Sequence, residues 1–189
     1  MRPIFLVILL ATLSATVSPA TGSVAASANK HSNAWRTFTS KKLGFAFRYP
    51  STWTLTLGGV GPQTAGQVEV AHQGRSIYQM NAVLLPIRAD RTLPQTMKRF
   101  LAYEQATTQS TMFNHIRWVS TTVGRSPALV GILRLPTEGG VPVSNAIFVM
   151  ESRTHAYEIT LTSNRSPAPT RIGQFPSVYA QILATWRFI

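Results

Sequence analysis

The residue types that most often carry out chemistry are scarce in this chain of 189 residues. It has no cysteine, and its 6 acidic residues include one aspartate, Asp90. The lack of cysteine excludes disulfides, thiolate zinc sites, iron–sulfur clusters and a cysteine nucleophile. The shortage of aspartate excludes aspartate-rich calcium loops and two-metal carboxylate sites.

Three histidines are candidate metal ligands: His72, His115 and His155, each near the end of a predicted strand. Three imidazoles can hold zinc if the fold brings them together. Their spacing matches neither HExxH nor a close His-x-His pair. We therefore expect three unrelated histidines and no metal or other cofactor, with a metal-dependent enzyme as the alternative.

Catalysis by other groups finds little support in the sequence. No serine lies in a G-x-S-x-G turn, and the glycines from Gly58 to Gly61 lack the Gly-Lys-Ser/Thr ending of a phosphate loop. Glycoside hydrolysis needs two opposed carboxylates, and the glutamates would have to meet through tertiary contacts. The candidates for such a pair are Glu104, Glu138, Glu151 and Glu158. We predict that the protein is not an enzyme, with an extracytoplasmic hydrolase as the alternative.

Positive charge is the strongest remaining signal, because 18 Lys and Arg against 6 Asp and Glu give a net charge of +12. Two basic clusters stand out, and their members are Arg88, Arg91, Lys98 and Arg99 around the start of a predicted helix, and Lys41 and Lys42. We predict that they attract an anionic partner, either an acidic protein face or an anionic polymer or surface of the cell envelope. A basic surface that only keeps the protein soluble is the alternative.

The N-terminal residues 1–28 have the pattern of a secretory signal peptide. Arg2 precedes an apolar run from Ile4 to Leu13, and Ala26-Ser27-Ala28 fits the cleavage pattern, with cleavage after Ala20 as the alternative. We expect residues 29–34 to be a flexible lead and the mature chain to act outside the cytoplasm. Because we predict export, we expect no nucleic acid as a physiological ligand. No later apolar run is long enough to predict a membrane span.

The rest of the chain predicts a single α+β domain over residues 35–189. Alternating and continuous apolar runs predict strands on both sides of a helix from Leu93 to Gln109, which opens with a capping box at Thr92 and Gln95. A helical apolar stripe from Phe175 to Trp186 closes the chain. Short connections favour a largely antiparallel sheet covered by the helices.

One segment carries a strand pattern of unusual regularity. Phe45, Phe47 and Tyr49 are predicted to share one face of a strand, with Ala46 and Arg48 on the other. Pro50 ends that strand, and we expect Trp53 to fold back over the aromatic row.

Two end segments resemble the PsbP-like domain family. Residues 43–53 (LGFAFRYPSTW) are similar to the opening signature of these domains, and residues 182–188 (ILATWRF) to their close. The resemblance covers Trp35 to Ile189 and implies an α-β-α sandwich, a fold shared by photosystem II extrinsic subunits and a nuclear Ran-binding protein. Family members mostly bind other proteins, so the resemblance implies an exported, non-enzymatic accessory protein. No ion-site residues of the photosynthetic members can be matched here.

Overall fold

The structure, a computed structural model, describes residues 34–58, 66–72, 78–109, 111–135, 142–164 and 167–189. The strands within these ranges are β1 (Trp35–Ser40), β2 (Phe45–Pro50), β3 (Thr54–Gly58), β4 (Gly66–His72), β5 (Tyr78–Arg88), β6 (Val119–Val123), β7 (Ser126–Leu135), β8 (Val143–Glu151), β9 (His155–Ser163) and β10 (Arg187–Phe188). The helices are α1 (Leu93–Thr108) and α2 (Ser177–Ala184). The predicted signal peptide, residues 29–33 of the lead, and Glu138 lie outside the described residues.

The strands form two sheets whose described pairs are all antiparallel. The main sheet has seven strands in the order β3-β4-β5-β9-β8-β7-β6, and the small sheet has the order β1-β2-β10. Short connections join most neighbouring strands, as expected for antiparallel pairing. The predicted α+β class with a largely antiparallel sheet is confirmed.

The two helices cover opposite faces of the main sheet. Met97 and Phe100 of α1 pack with Leu85, Val149 and Ala156 on one face, which we call the α1 side. On the other face, the α2 side, the main core joins residues from α2, from the small sheet and from the alternate positions of the same strands. This layering is the predicted α-β-α sandwich, with the small sheet added beside α2.

The aromatic row of β2 faces the main core, as predicted. Phe45 and Phe47 are fully buried, and Trp186 stacks on both, with ring centroids 4.3 and 5.6 Å away. The prediction for Trp53 is wrong, because its ring packs edge-on against Tyr179 at 5.9 Å instead of over this row. The physical reason is that the chain leaves the small sheet after Pro50 and enters the main sheet at β3, which carries Trp53 away.

The helix ends differ in detail from the predictions. Helix α1 stops at Thr108, and Gln109 follows in the left-handed conformation with φ of 54°. The capping box does not form, because the Thr92 hydroxyl donates to the Gln95 side chain at 3.1 Å and caps no backbone amide. Helix α2 is shorter than the apolar stripe, because a 3₁₀ turn at Ile172–Gln174 and Pro176 precede it.

Ile116, Trp118 and Ser120 alternate with Arg117 and Val119 as in a strand, but the strand after α1 begins only at Val119. A 3₁₀ turn at Met112–His115 takes up the preceding residues, and its Phe113 packs on Phe100 of α1. Over the described residues, no helix is both long and apolar enough to cross a membrane.

Candidate functional site

The residues of the predicted basic clusters are all exposed. Lys41 and Lys42 lie in the turn between β1 and β2, and Arg88 is the last residue of β5. Arg91 lies in the loop before α1, and Lys98 and Arg99 lie within its first two turns. Of these, Arg99 is neutralised by Asp90, since its Nε lies 2.8 Å from the carboxylate.

The fold brings the two predicted clusters to the same end of the main sheet. Arg88 is the register partner of His155 at the start of β9, and the Ala89 amide donates to the Thr154 carbonyl at 3.3 Å. The β1–β2 turn reaches the same strand, because a Cβ on Gly44 would lie 2.8 Å from the Tyr157 hydroxyl. Periodicity alone did not predict that the clusters would lie at the same end of the sheet.

The basic and the acidic side chains differ in their exposure to solvent. Every lysine and arginine among the described residues is exposed, whereas every described aspartate and glutamate is partly or fully buried. Within the same residues, Arg99 and Asp90 form the one ion pair. The exposed charge of the described surface is therefore almost entirely positive.

The described acidic residues also share one side of the molecule. Glu69, Glu151 and Glu158 occupy strand positions that alternate with residues of the main core, so they face the α1 side. Glu104 belongs to α1, and Asp90 pairs with Arg99 of that helix. No described acidic residue lies on the α2 side, where the small sheet packs.

The small sheet is the most basic part of the α2 side. We call it the cationic sheet, defined by its basic residues and the turn between its first two strands: Arg36, Lys41, Lys42, Arg48 and Arg187. The sheet and its turn contain no acidic residue. An anion that approaches it meets no acidic side chain of the sheet or its turn.

Strand register places two arginines together on the outer face of the cationic sheet. Arg187 lies opposite Ala46, and Arg48 lies two residues further along β2, a diagonal separation of about 7–8 Å. Thr37 is opposite Arg48 and Thr39 is opposite Ala46, so hydroxyl groups flank the guanidinium groups. Arginine forms bidentate contacts with carboxylate, phosphate and sulfate groups. The arrangement can bind an extended anionic surface.

The α1 side holds a pair of buried carboxyl groups. Glu104 of α1, only 9% exposed, and Glu158 of β9 line a cavity of about 190 Å³ with Gln67 and Val83. Burial, followed by the charge of Glu158, raises the pKa of Glu104 from 4.5 to about 7. Burial also raises the pKa of Glu158, while the hydrogen bond from Thr160 opposes that rise. Of the four predicted glutamate candidates, the structure brings these two together.

The carboxyl pair does not have the space of a substrate site. Ligand pockets usually measure about 300–1,000 Å³, well above the cavity beside Glu104. Glu151, another of the candidates, lies elsewhere and accepts a hydrogen bond from Thr96 of α1. We interpret the pair as a pH-sensitive contact between α1 and the sheet.

Replacing Glu104 by glutamine is expected to stabilise the protein at pH 8 but not at pH 4. Because the folded pKa lies above 4.5, the folded state holds its proton more tightly, and stability falls as the pH rises from about 4.5 to 7. The full shift corresponds to roughly 3 kcal/mol, and the opening of the cavity to solvent reduces our expectation to about 1–2 kcal/mol.

Urea unfolding of wild type and Glu104→Gln at both pH values measures this effect. Glu69→Gln is the matched control, since Glu69 also faces the α1 side but is not among the residues lining the cavity. An equal gain for Glu104→Gln at pH 4 and pH 8 would show that its ionisation is not the cause.

The three candidate zinc ligands do not converge. His72 is in register with Tyr78 and, through it, with Ser163 at the far end of β9, whereas His155 begins β9. The length of that strand separates them by roughly 25 Å. His115 is exposed in the 3₁₀ turn before β6. Among the described residues, no group of three or more His, Cys, Asp and Glu side chains is placed to hold a metal.

Sequence reasoning missed Arg36, Arg48 and Arg187 as site residues. Arg48 was assigned to the outer face of its strand, but nothing local indicated that Arg187 would lie beside it. The contact depends on the pairing of β2 with β10, which joins the two ends of the domain. Those paired strands belong to the two segments that carry the family resemblance.

Comparisons with known proteins give a match in structure alone. A scan against protein-family models and a search of curated proteins find no match to this chain. The solution structure of a cyanobacterial PsbP, CyanoP, from Synechocystis is similar with a TM-score of 0.55 and 14% identity, over 90% of this chain and 98% of that one. A crystal structure from Bacteroides thetaiotaomicron is similar with a TM-score of 0.51 and 12% identity, over 81% of this chain.

The two similar structures differ in how much of them this chain spans. The chain covers 48% of the Bacteroides protein and nearly all of CyanoP. At these identities the likeness establishes architecture and carries no activity with it. The chain has the PsbP-like fold.

Proposed function

We propose that this protein is an exported, non-enzymatic accessory protein that binds an acidic partner protein through its cationic sheet. The observation that carries the proposal is the separation of charge across the main sheet. All described acidic residues face the α1 side, and the small sheet on the α2 side presents five basic residues and no acidic one. Export rests on the signal-peptide pattern of residues 1–28.

Several features support binding over catalysis. The outer face of the cationic sheet is a three-stranded surface with arginines and threonines, which suits contact with a broad anionic face. Complementary charge speeds association and selects the partner. The buried carboxyl pair lines a cavity too small for a typical substrate, and the candidate zinc ligands are spread over the molecule.

The predicted basic cluster at the start of α1 has a secondary part in this proposal. Arg88, Arg91 and Lys98 are exposed at the end of the sheet that the β1–β2 turn also reaches. However, Asp90 forms an ion pair with Arg99 there, and Glu151 accepts a hydrogen bond from Thr96 of the same helix. We therefore assign the main contact to Arg48 and Arg187, with Lys41 and Lys42 extending it.

The proposed surface can be tested with a generic polyanion. We expect a heparin oligosaccharide to bind the mature chain, residues 29–189, with an affinity that falls as salt rises. Each lost contact lowers the slope of log affinity against log salt by about 1, so Arg48→Gln with Arg187→Gln should lower it by about 2. Calorimetric titration at several salt concentrations gives the slopes.

The matched comparison removes the same charge at the predicted cluster, with Arg88→Gln and Arg91→Gln. The proposal expects a smaller change for this pair than for the sheet pair. A larger change would place the contact at the start of α1, and equal changes would indicate attraction to net charge without a defined surface.

A further inference from the structure

A groove runs beside the edge strand β6 on the α2 side. Two adjoining cavities of about 480 and 390 Å³ form it, and they share Ile172. Val119 and Val130 line one part on the sheet, and Phe175 and Leu183 line the other under α2. Two of the most exposed large apolar side chains, Val119 at 52% and Ile172 at 40%, lie at this groove. Exposed apolar patches of this kind mark interaction sites.

The strand beside the groove is an open sheet edge. Strand β6 is the last strand of the main sheet, and no described strand pairs with its outer side. Its sequence, VSTTV, contains neither the charged residue nor the proline that usually protects an edge. The unpaired amide and carbonyl groups of such an edge can accept a further strand.

Arginines surround the groove. Arg117 and Arg171 line it, Arg125 follows β6 in the turn to β7, and Arg134 shares the face of β7 that carries Ile132. All four are exposed, and no described acidic residue lies on this side of the sheet. An occupant with acidic side chains would therefore gain charge complementarity, and a basic one would be repelled.

A second copy of this chain is a poor occupant. Symmetric antiparallel pairing of two β6 strands centred on Thr121 would set Arg117 of each copy opposite Arg125 of the other. Like charges that face each other across strands are destabilising. The flanking arginines thus protect the edge from self-pairing while leaving it open to a strand of opposite charge.

We propose that β6 and its groove bind an extended acidic segment of another protein, which adds a strand to the main sheet. Along that strand, the side chains that face the α2 side are apolar where they enter the groove and acidic at the end beside Arg117 and Arg171. This site shares no residue with the cationic sheet and goes beyond the proposed function.

A designed peptide tests the proposal. The probe is long enough to pair with all five residues of β6, and the face that meets the groove carries valines and ends in glutamates, while the opposite face carries threonines. Matched peptides replace glutamate by lysine, or N-methylate alternate amides to prevent strand pairing. Fluorescence anisotropy measures affinity, and hydrogen exchange measures the protection of the β6 amides.

The chain offers a variant that fills the groove without strain. A Cβ added at Gly173 would meet no atom within 4 Å, so Gly173→Leu should fold normally and project into the groove. We expect Gly173→Leu, and separately Arg117→Gln with Arg171→Gln, to weaken binding of the glutamate peptide at least tenfold. The circular dichroism spectrum and melting temperature verify that each variant is folded.

Support requires that the glutamate peptide binds, that the lysine and N-methylated peptides do not, and that the β6 amides become protected. Failure of the glutamate peptide to bind would overturn the proposal, as would equal binding of the lysine peptide or of Gly173→Leu. Concentration-dependent dimerisation with protection of β6 would overturn it in favour of a second copy. None of these outcomes depends on the cationic sheet.

Discussion

Replacing Trp186 by alanine is expected to destabilise the protein by about 3–5 kcal/mol, which is the usual loss for a large buried aromatic side chain. Trp186 is 3% exposed and stacks on Phe45 and Phe47 of β2. Its indole Nε1 has no hydrogen-bond partner among the described residues, so the loss comes from packing. The stack joins the chain after α2 to the small sheet, and its removal should also loosen β10.

Thermal and urea unfolding of residues 29–189 measure this loss. For a domain of this size, a melting temperature lower by roughly 10 °C is expected. Leu57→Ala is the matched control, because Leu57 is also a large apolar residue but is 63% exposed. Its effect should stay within about 0.5 kcal/mol. A comparable loss for both variants would contradict the central place of the aromatic stack.

Local periodicity predicted the elements of this fold well where one face is buried and the other is not. The alternation in Phe45, Phe47 and Tyr49 predicted a strand and its inner face, and both are present. The change to helical spacing after Thr92 predicted α1 to within one residue at its C-terminal end. These features depend on neighbours in the sequence, which a single chain displays directly.

Contacts between distant segments were beyond the reach of periodicity. A period tells which face a side chain occupies, but it does not tell which strand lies beside it. Arg48 and Arg187 become neighbours only through the pairing of β2 with β10, and Glu104 meets Glu158 only because α1 crosses β9. The separation of His72 from His155 likewise follows from strand order.

The segregation of charge could be read only from the folded chain. No local pattern places Glu69, Glu151 and Glu158 on one side, since each follows its own strand register. The basic residues that matter most in our proposal are scattered from Arg36 to Arg187. The two basic clusters that we predicted are those whose members lie close together in the sequence.

Reversing the charge of Arg48 and Arg187 is expected to abolish capture of the acidic partner, with a loss of at least tenfold. Arg48→Glu and Arg187→Glu replace two adjacent cations by carboxylates on the outer face of the cationic sheet. An acidic partner would then face like charge, which costs several kcal/mol at a contact. Neither side chain is buried, so the variant should fold as the wild type does.

The most direct test of the cationic sheet is affinity capture from the envelope fraction of the native host. Tagged residues 29–189 serve as bait at low and high salt, beside the Arg48→Glu, Arg187→Glu variant and a matched Arg88→Glu, Arg91→Glu variant, with bound proteins identified by mass spectrometry. We predict one stoichiometric acidic protein that is lost at high salt and lost with the sheet variant, but retained by the matched variant. Retention of the same protein by the sheet variant, or capture of no protein at either salt, would contradict the account.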